Sequence, residues 1–165
     1  MNKENLSLAL YYDRAIELWQ RFCRLLSTLY EFTCEEYSIL LLSNIDALDP
    51  LLQTKQVTIE EIHQCDQDRK ALIEEMQSQG YNVSSVTDLI KTFSKFEENR
   101  DQKYLHKFNT LLIEIIEKIQ EQNKKNQVFL NKAIFSLREV RTSFQGKKSY
   151  STYNSQGATT RTVSR

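Results

Sequence analysis

One proline and three glycines are the only strong backbone breakers in 165 residues. A chain so poorly supplied with them is confined to long, unbroken elements, and its period decides which kind. Pro50 follows Asp49, Gly80 closes a charged amphipathic run, Gly146 closes another, and Gly157 lies in a Ser/Thr-rich stretch. Between these points the apolar residues keep a helical spacing. Frames of this kind usually hold other helices and seldom carry catalytic groups.

The first helix is expected over residues 6–42. Every seventh residue falls into three adjacent columns: Leu8, Ala15, Phe22, Leu29; Tyr11, Leu18, Leu25, Phe32, Ile39; and Tyr12, Trp19, Leu26, Thr33, Leu40. Three neighbouring columns make a stripe broader than a two-stranded seam, as a multi-helix core requires. Ser43-Asn44 interrupts the pattern, and Asp49-Pro50 reads as a second start, with Asp as N-cap and Pro in the first turn. The second helix runs to about Ser78 on a stripe of Leu51/Leu52, Lys55, Ile59, Ile62, Asp66, Arg69, Leu72/Ile73 and Met76. Gly80 then stands where a left-handed C-cap is wanted. Ser85-x-x-Asp88 resembles a capping box opening a short helix through about Phe96.

Residues 97–101 are polar, and either bend the chain or continue into a last helix that ends near Gln145-Gly146. Its seam reads Leu105, Phe108, Leu112, Ile115, Ile119, Asn126, Phe129, Ala133 and Val140, beside a column of Ile116, Asn123, Leu130, Leu137 and Phe144. Residues 111–116 are apolar on nearly all sides and are expected to be buried. Residues 146–165 hold one aliphatic side chain larger than alanine, Val163, and cannot offset their ordering entropy. The expected architecture is all-α: a helical domain over 1–145, with three long helices and a short one, and a disordered tail over 146–165.

Basic and acidic residues balance at 22 each, unevenly placed: Lys147, Lys148, Arg161 and Arg165 make the tail +4 and leave −4 on the rest. An acidic body argues against nucleic-acid binding. No apolar run is long enough to span a membrane and no signal-peptide core is present, so a cytoplasmic protein without membrane insertion is expected. Cys23, Cys34 and Cys65 suit reduced thiols there, with no disulfide. His63-x-Cys65-Asp66 lacks a second ligand pair, and an ordinary helix surface describes it better than a metal site. No nucleophile–base arrangement and no glycine-rich phosphate loop can be assembled, so neither an enzyme nor a cofactor is expected.

Three features admit two readings. Lys55, Asp66 and Arg69 interrupt the second helix's stripe: their stems cover a bundle edge with Asp66 paired to Arg69, or they line a partner groove. Asn123 and Asn126 interrupt the last seam, where a buried Asn fixes register. Beyond them, the stripe over residues 129–144 is equally an intramolecular core or a surface for an amphipathic helix or a second copy. In the tail, Tyr150 and Tyr153 are anchor-type side chains in an otherwise solvated segment.

Four stretches in order resemble the FlgN family of bacterial flagellar export chaperones. They are Asp46-Ala47-Leu48 through Leu51-Leu52 to Lys55 with Ile59, Ile62, Asp66 and Arg69; Gly80; Asn123-x-x-Asn126 before Phe129-Leu130; and Thr152-Tyr153-Asn154-Ser155-Gln156-Gly157. The last is similar to the family's closing Thr-Tyr-Asp-x-x-Gly, with Asn154 in place of Asp. The aromatic first helix (Tyr11, Tyr12, Trp19, Phe22, Phe32) has no counterpart in the resemblance. The resemblance implies an elongated antiparallel bundle without catalytic activity. It implies a chaperone for hook-associated proteins of the FlgK/FlgL class, which captures their C-terminal helical segment and delivers them to the flagellar export apparatus. Carried onto this chain, the client surface is Asn126, Phe129, Leu130, Ala133, Ile134, Leu137, Val140, Arg141 and Phe144, and export-gate docking falls to Tyr153, Asn154 and Gly157. Self-association as a coiled-coil structural or adaptor protein, with a homodimer, is the alternative.

Overall fold

A computed structural model describes residues 3–144, 150–153 and 159–162. The elements in order are α1 (Lys3–Leu41), α2 (Ile45–Ser78), α3 (Val86–Glu97), α4 (Tyr104–Phe144) and two short strands, β1 (Tyr150–Tyr153) and β2 (Thr159–Thr162). The all-α expectation of three long helices and one short one holds. The chain divides into two compact units, Met1–Lys124 and Lys125–Arg165, and α4 contributes to each.

In the first unit α1 and α2 form an antiparallel hairpin. Arg14 pairs with Glu75 and Arg21 with Asp68, each at 2.8 Å, and Glu36 pairs with Lys55 at 2.6 Å, so partners ascend on one helix as they descend on the other. The α1 column Tyr12, Trp19, Leu26 and Thr33 is buried as its spacing predicts, joined by Tyr11, Ala15, Phe22 and Cys23. On α2 the buried line is Leu51, Thr58, Cys65 and Leu72, with Ile73 and Met76 beside it. The sequence pattern misplaced this line by about one position, because Thr58 and Cys65 are weakly apolar and escape a hydrophobicity count. Cys65 is therefore fully buried rather than on a helix surface. Burial pushes the thiols of Cys23 and Cys65 up, which makes them inert.

The turns are made differently from one another. Gly80 has φ 89°, its N–H donates to the Gln77 carbonyl at 2.9 Å, and the Tyr81 N–H donates to Met76 at 3.0 Å. That is the expected left-handed cap with both bonds of a Schellman motif. The α1–α2 turn uses the same device with a serine: Ser43 has φ 52°, and the N–H groups of Ser43 and Asn44 reach the carbonyls of Leu40 and Ile39. Because this cap closes α1 in two residues, α2 starts at Ile45, behind Asn44, and not at Asp49-Pro50. Pro50 instead lies inside α2, where it withholds one backbone donor in the second turn.

α3 opens as its sequence predicts: Ser85 Oγ accepts from the Asp88 N–H at 3.1 Å, and Asp88 accepts from the Ser84 N–H at 3.1 Å and from its hydroxyl at 2.7 Å. Leu89 and Phe93 pack with Tyr11, Tyr12, Ala15, Trp19, Leu72, Ile73, Met76, Val83 and Leu105 into the main core. A second cluster joins Cys23 and Leu26 of α1 to Ile115 and Ile119 of α4. The order of these contacts makes α4 run parallel to α1 in this unit.

Glu97, at the end of α3, is 2 % exposed. Its carboxylate accepts from the Tyr12 hydroxyl at 2.5 Å and from the Leu105 N–H at 2.7 Å, with the His106 N–H at 3.4 Å. Lys103, the residue before α4, has no acceptor to cap a helix, so Glu97 performs that task from upstream. Arg100 lies 4.1 Å from the Phe96 ring centroid and 5.3 Å from that of Tyr12, closing the site from outside. Burial, and then the Glu97 carboxylate, push the Tyr12 hydroxyl far above its ordinary range. Glu97 belongs to a stretch that reads as merely polar in sequence.

In the second unit, α4 runs to Phe144 and is followed by an antiparallel pair in which Tyr150 faces Thr162 and Tyr153 faces Thr159. The tail thus has paired strands at these eight residues, where Thr and Tyr favour extended chain. An isolated two-stranded ladder is marginal in water.

Two backbone and capping outcomes follow. Glu97→Ala should lower unfolding free energy by about 3 kcal/mol in urea titration, since two buried donors, the Tyr12 hydroxyl and the Leu105 N–H, lose their acceptor. Glu97→Gln, which keeps one acceptor oxygen, should lose less.

Candidate functional site

No proline or glycine interrupts the sequence between Gly80 and Gly146, so α4 continues without a break from Tyr104 to Phe144. Its apolar residues beyond Lys124 recur at helical spacing, and the structure leaves most of them in solvent. Leu130 is 38 % exposed, Ile134 42 %, Leu137 67 %, Val140 50 % and Phe144 88 %. Arg141 is exposed among them, Phe129 and Ala133 are half-buried, and Asn126 is buried. The nine positions over 126–144 therefore form a graded surface, covered at its beginning and bare at its end. Asn123 is exposed, so of the two asparagines only Asn126 occupies a buried position.

Surface leucines occur singly on most proteins. A line of five large apolar side chains on one helix face is the kind of patch that marks an interaction site. Sequence reasoning missed Val128 (53 % exposed) and Phe135 (64 %), whose seven-residue separation puts a second, shorter apolar line on the far side of the helix. It also overestimated burial upstream. Leu111, Ile113 and Ile116 are exposed, because only the α4 face that carries Leu105, Ile115 and Ile119 is covered.

A crevice of about 470 Å³ lies within the first unit. Trp19, Phe22 and Leu26 line its floor, Ile62, His63, Asp66 and Arg69 one wall, and Asn109, Leu112 and Ile116 the other. Asn109 Oδ1 accepts from the Trp19 indole N–H at 3.1 Å. Asp66 pairs with Arg69 at 2.8 Å and Lys70 at 3.3 Å, and Lys55 is tied to Glu36. Asp66 and Arg69 thus pair with each other, as the bundle-edge reading expects, and both line this crevice, which Lys55 does not. Burial raises the Asp66 pKa, but Arg69 and Lys70 outweigh it and hold the carboxyl below its usual range.

Among the described residues no cluster of His, Cys, Asp and Glu could hold a metal ion, and no helix is long and apolar enough to cross a membrane. Tyr153 ends β1; Asn154 and Gly157, the other two expected docking positions, lie outside the described residues.

These features define a helical scaffold with an exposed apolar helix face. A family model described as FlgN protein matches residues 10–161, nearly the whole chain, and the chain belongs to the FlgN family. Membership implies a non-enzymatic flagellar export chaperone for hook-associated proteins. No curated protein and no solved structure matches the chain.

The division between core and surface has a measurable consequence. Leu137→Gln should change unfolding free energy by less than about 0.5 kcal/mol, whereas Trp19→Ala should lower it by about 3–5 kcal/mol. Asp66 should add to the acid limb of stability. Its folded pKa lies below the unfolded one, so its contribution is full above about pH 4 and is withdrawn as pH falls through the folded value. Asp66→Asn should flatten that limb in pH-dependent urea titrations.

Proposed function

We propose that this chain is a cytoplasmic export chaperone that captures the C-terminal helical segment of a hook-associated protein on the 126–144 face of α4, keeps it from assembling early, and delivers it to the export apparatus. The observation that carries this reading is the bare apolar line from Leu130 to Phe144, in a chain that belongs to the FlgN family. An apolar client segment exposed before assembly is an aggregation hazard. Seating it against such a line removes apolar surface from water at roughly 25 cal/mol per Å². The graded exposure suits release, because the far end of the line, Leu137 to Phe144, lies largely in solvent.

Delivery is assigned to the segment around Tyr153, Asn154 and Gly157. A short, marginal ladder suits reversible docking, since ordering it on a partner lowers affinity for a given contact area.

Removal of the client's C-terminal helical segment should abolish its binding to the purified chain in calorimetry; undiminished binding would refute capture through this face. Leu130→Gln/Ile134→Gln/Leu137→Gln should weaken capture at unchanged helicity. Tyr153→Ala should spare client binding and lower export in a secretion assay, and loss of client binding instead would overturn the division of roles. Light scattering tests the competing occupant: a tight dimer sealed through residues 129–144 would mean that a second copy covers the line.

A further inference from the structure

Charge is distributed between the two units far more unevenly than between body and tail. Residues 125–165 hold eight of the 22 basic side chains and one of the 22 acidic ones, Glu139, for a net +7, which leaves −7 on residues 1–124. Two of the cations stand on the apolar face itself. Arg141 follows Leu137 by four residues and precedes Phe144 by three, so it lies inside the line, and Arg138, four beyond Ile134, borders it. Lys132 and Glu139 fall on the opposite side of the helix. Arg141 and Arg138 are both exposed, and no ion pair to either guanidinium forms among the described residues.

A guanidinium in the middle of an apolar contact face would be buried by any partner helix that covers Leu137 and Phe144. Burial without a counter-charge is costly, and a carboxylate meets the fork of Arg with two parallel hydrogen bonds. Two arginines three residues apart call for two carboxylates at similar spacing on the facing helix. The −7 unit acts in the same direction, since net like charge discourages an acidic segment from settling on residues 1–124 and favours the +7 segment.

We infer that the segment captured on this face is an acidic amphipathic helix, with carboxylates three or four residues apart that pair with Arg138 and Arg141. The inference rests on the capture reading above and specifies the chemistry of its client. An anionic membrane is the other surface a cationic amphipathic helix could meet. Arg141 argues against it, because a helix lying in the interface keeps its charges on the polar face.

The test uses the full chain and a purified hook-associated protein in calorimetry at low and moderate salt. Arg138→Gln/Arg141→Gln should weaken binding about tenfold and reduce its salt dependence, and the Glu/Glu double variant should weaken it further. Lys132→Gln, on the opposite side, should bind as the unchanged chain does. Equal affinity of the Arg138→Gln/Arg141→Gln variant and the unchanged chain overturns the acidic-client inference and leaves capture standing. An equal loss from Lys132→Gln also overturns it, by making the effect one of net charge. Absence of any binding by the unchanged chain overturns both. Phosphatidylserine-containing vesicles form the last arm: binding to them as tight as to the hook-associated protein, lost in the double variant, overturns the inference in favour of a membrane.

Discussion

A single buried carboxylate joins three of the four helices. Glu97 ends α3, accepts from Tyr12 of α1, and supplies the acceptor that the first turn of α4 lacks. Removing a charge from water is unfavourable unless polar partners replace the lost water, and here a phenol and a helix N-terminus share that task. The start of α4 is therefore set relative to α1 by hydrogen bonds with direction and length, whereas apolar packing alone would tolerate a slide. The part of α4 that packs in this unit, through Ile115 and Ile119, inherits that registration.

Much of this architecture could be read from the chain. Periodicity located α1 and the Tyr12, Trp19, Leu26, Thr33 column, and local capping chemistry located Ser85, Asp88 and Gly80, because each of these signals is confined to a few adjacent residues. The failures share a physical origin. Asp49-Pro50 looked like a start because Pro suits a first turn, but Ser43 adopts a conformation that glycine usually supplies, and propensity cannot anticipate that. Cys65 and Thr58 were overlooked because burial on α2 follows geometry more closely than hydrophobicity. Glu97 was unreadable because its partners lie far away in sequence. Residues 111–116 were taken for core because local apolarity says nothing about how many neighbours arrive to cover it.

The surface proper was half legible. The spacing of Leu130, Leu137 and Phe144 marks one face of a helix, but period alone does not say whether such a face is covered, and the exposure of these three side chains comes from the structure. The aromatic residues of α1, which the family resemblance left without a purpose, have a structural one. Tyr11, Tyr12, Trp19 and Phe22 supply bulk to a core built from a long hairpin and one short helix, with edge-on ring contacts to Tyr81 and Phe93. Bulky rings let few residues fill the space that an additional full-length helix would otherwise occupy.

The side chains that hold residues 1–124 together and those that line the late face of α4 are almost disjoint sets. Most proteins trade folding against recognition, because the same residues serve both. Substitutions along Leu130, Ile134, Leu137 and Arg141 lie outside the core of residues 1–124, so under the capture proposed above a lineage could retune what it carries by drift along one helix face while its scaffold stays under separate selection.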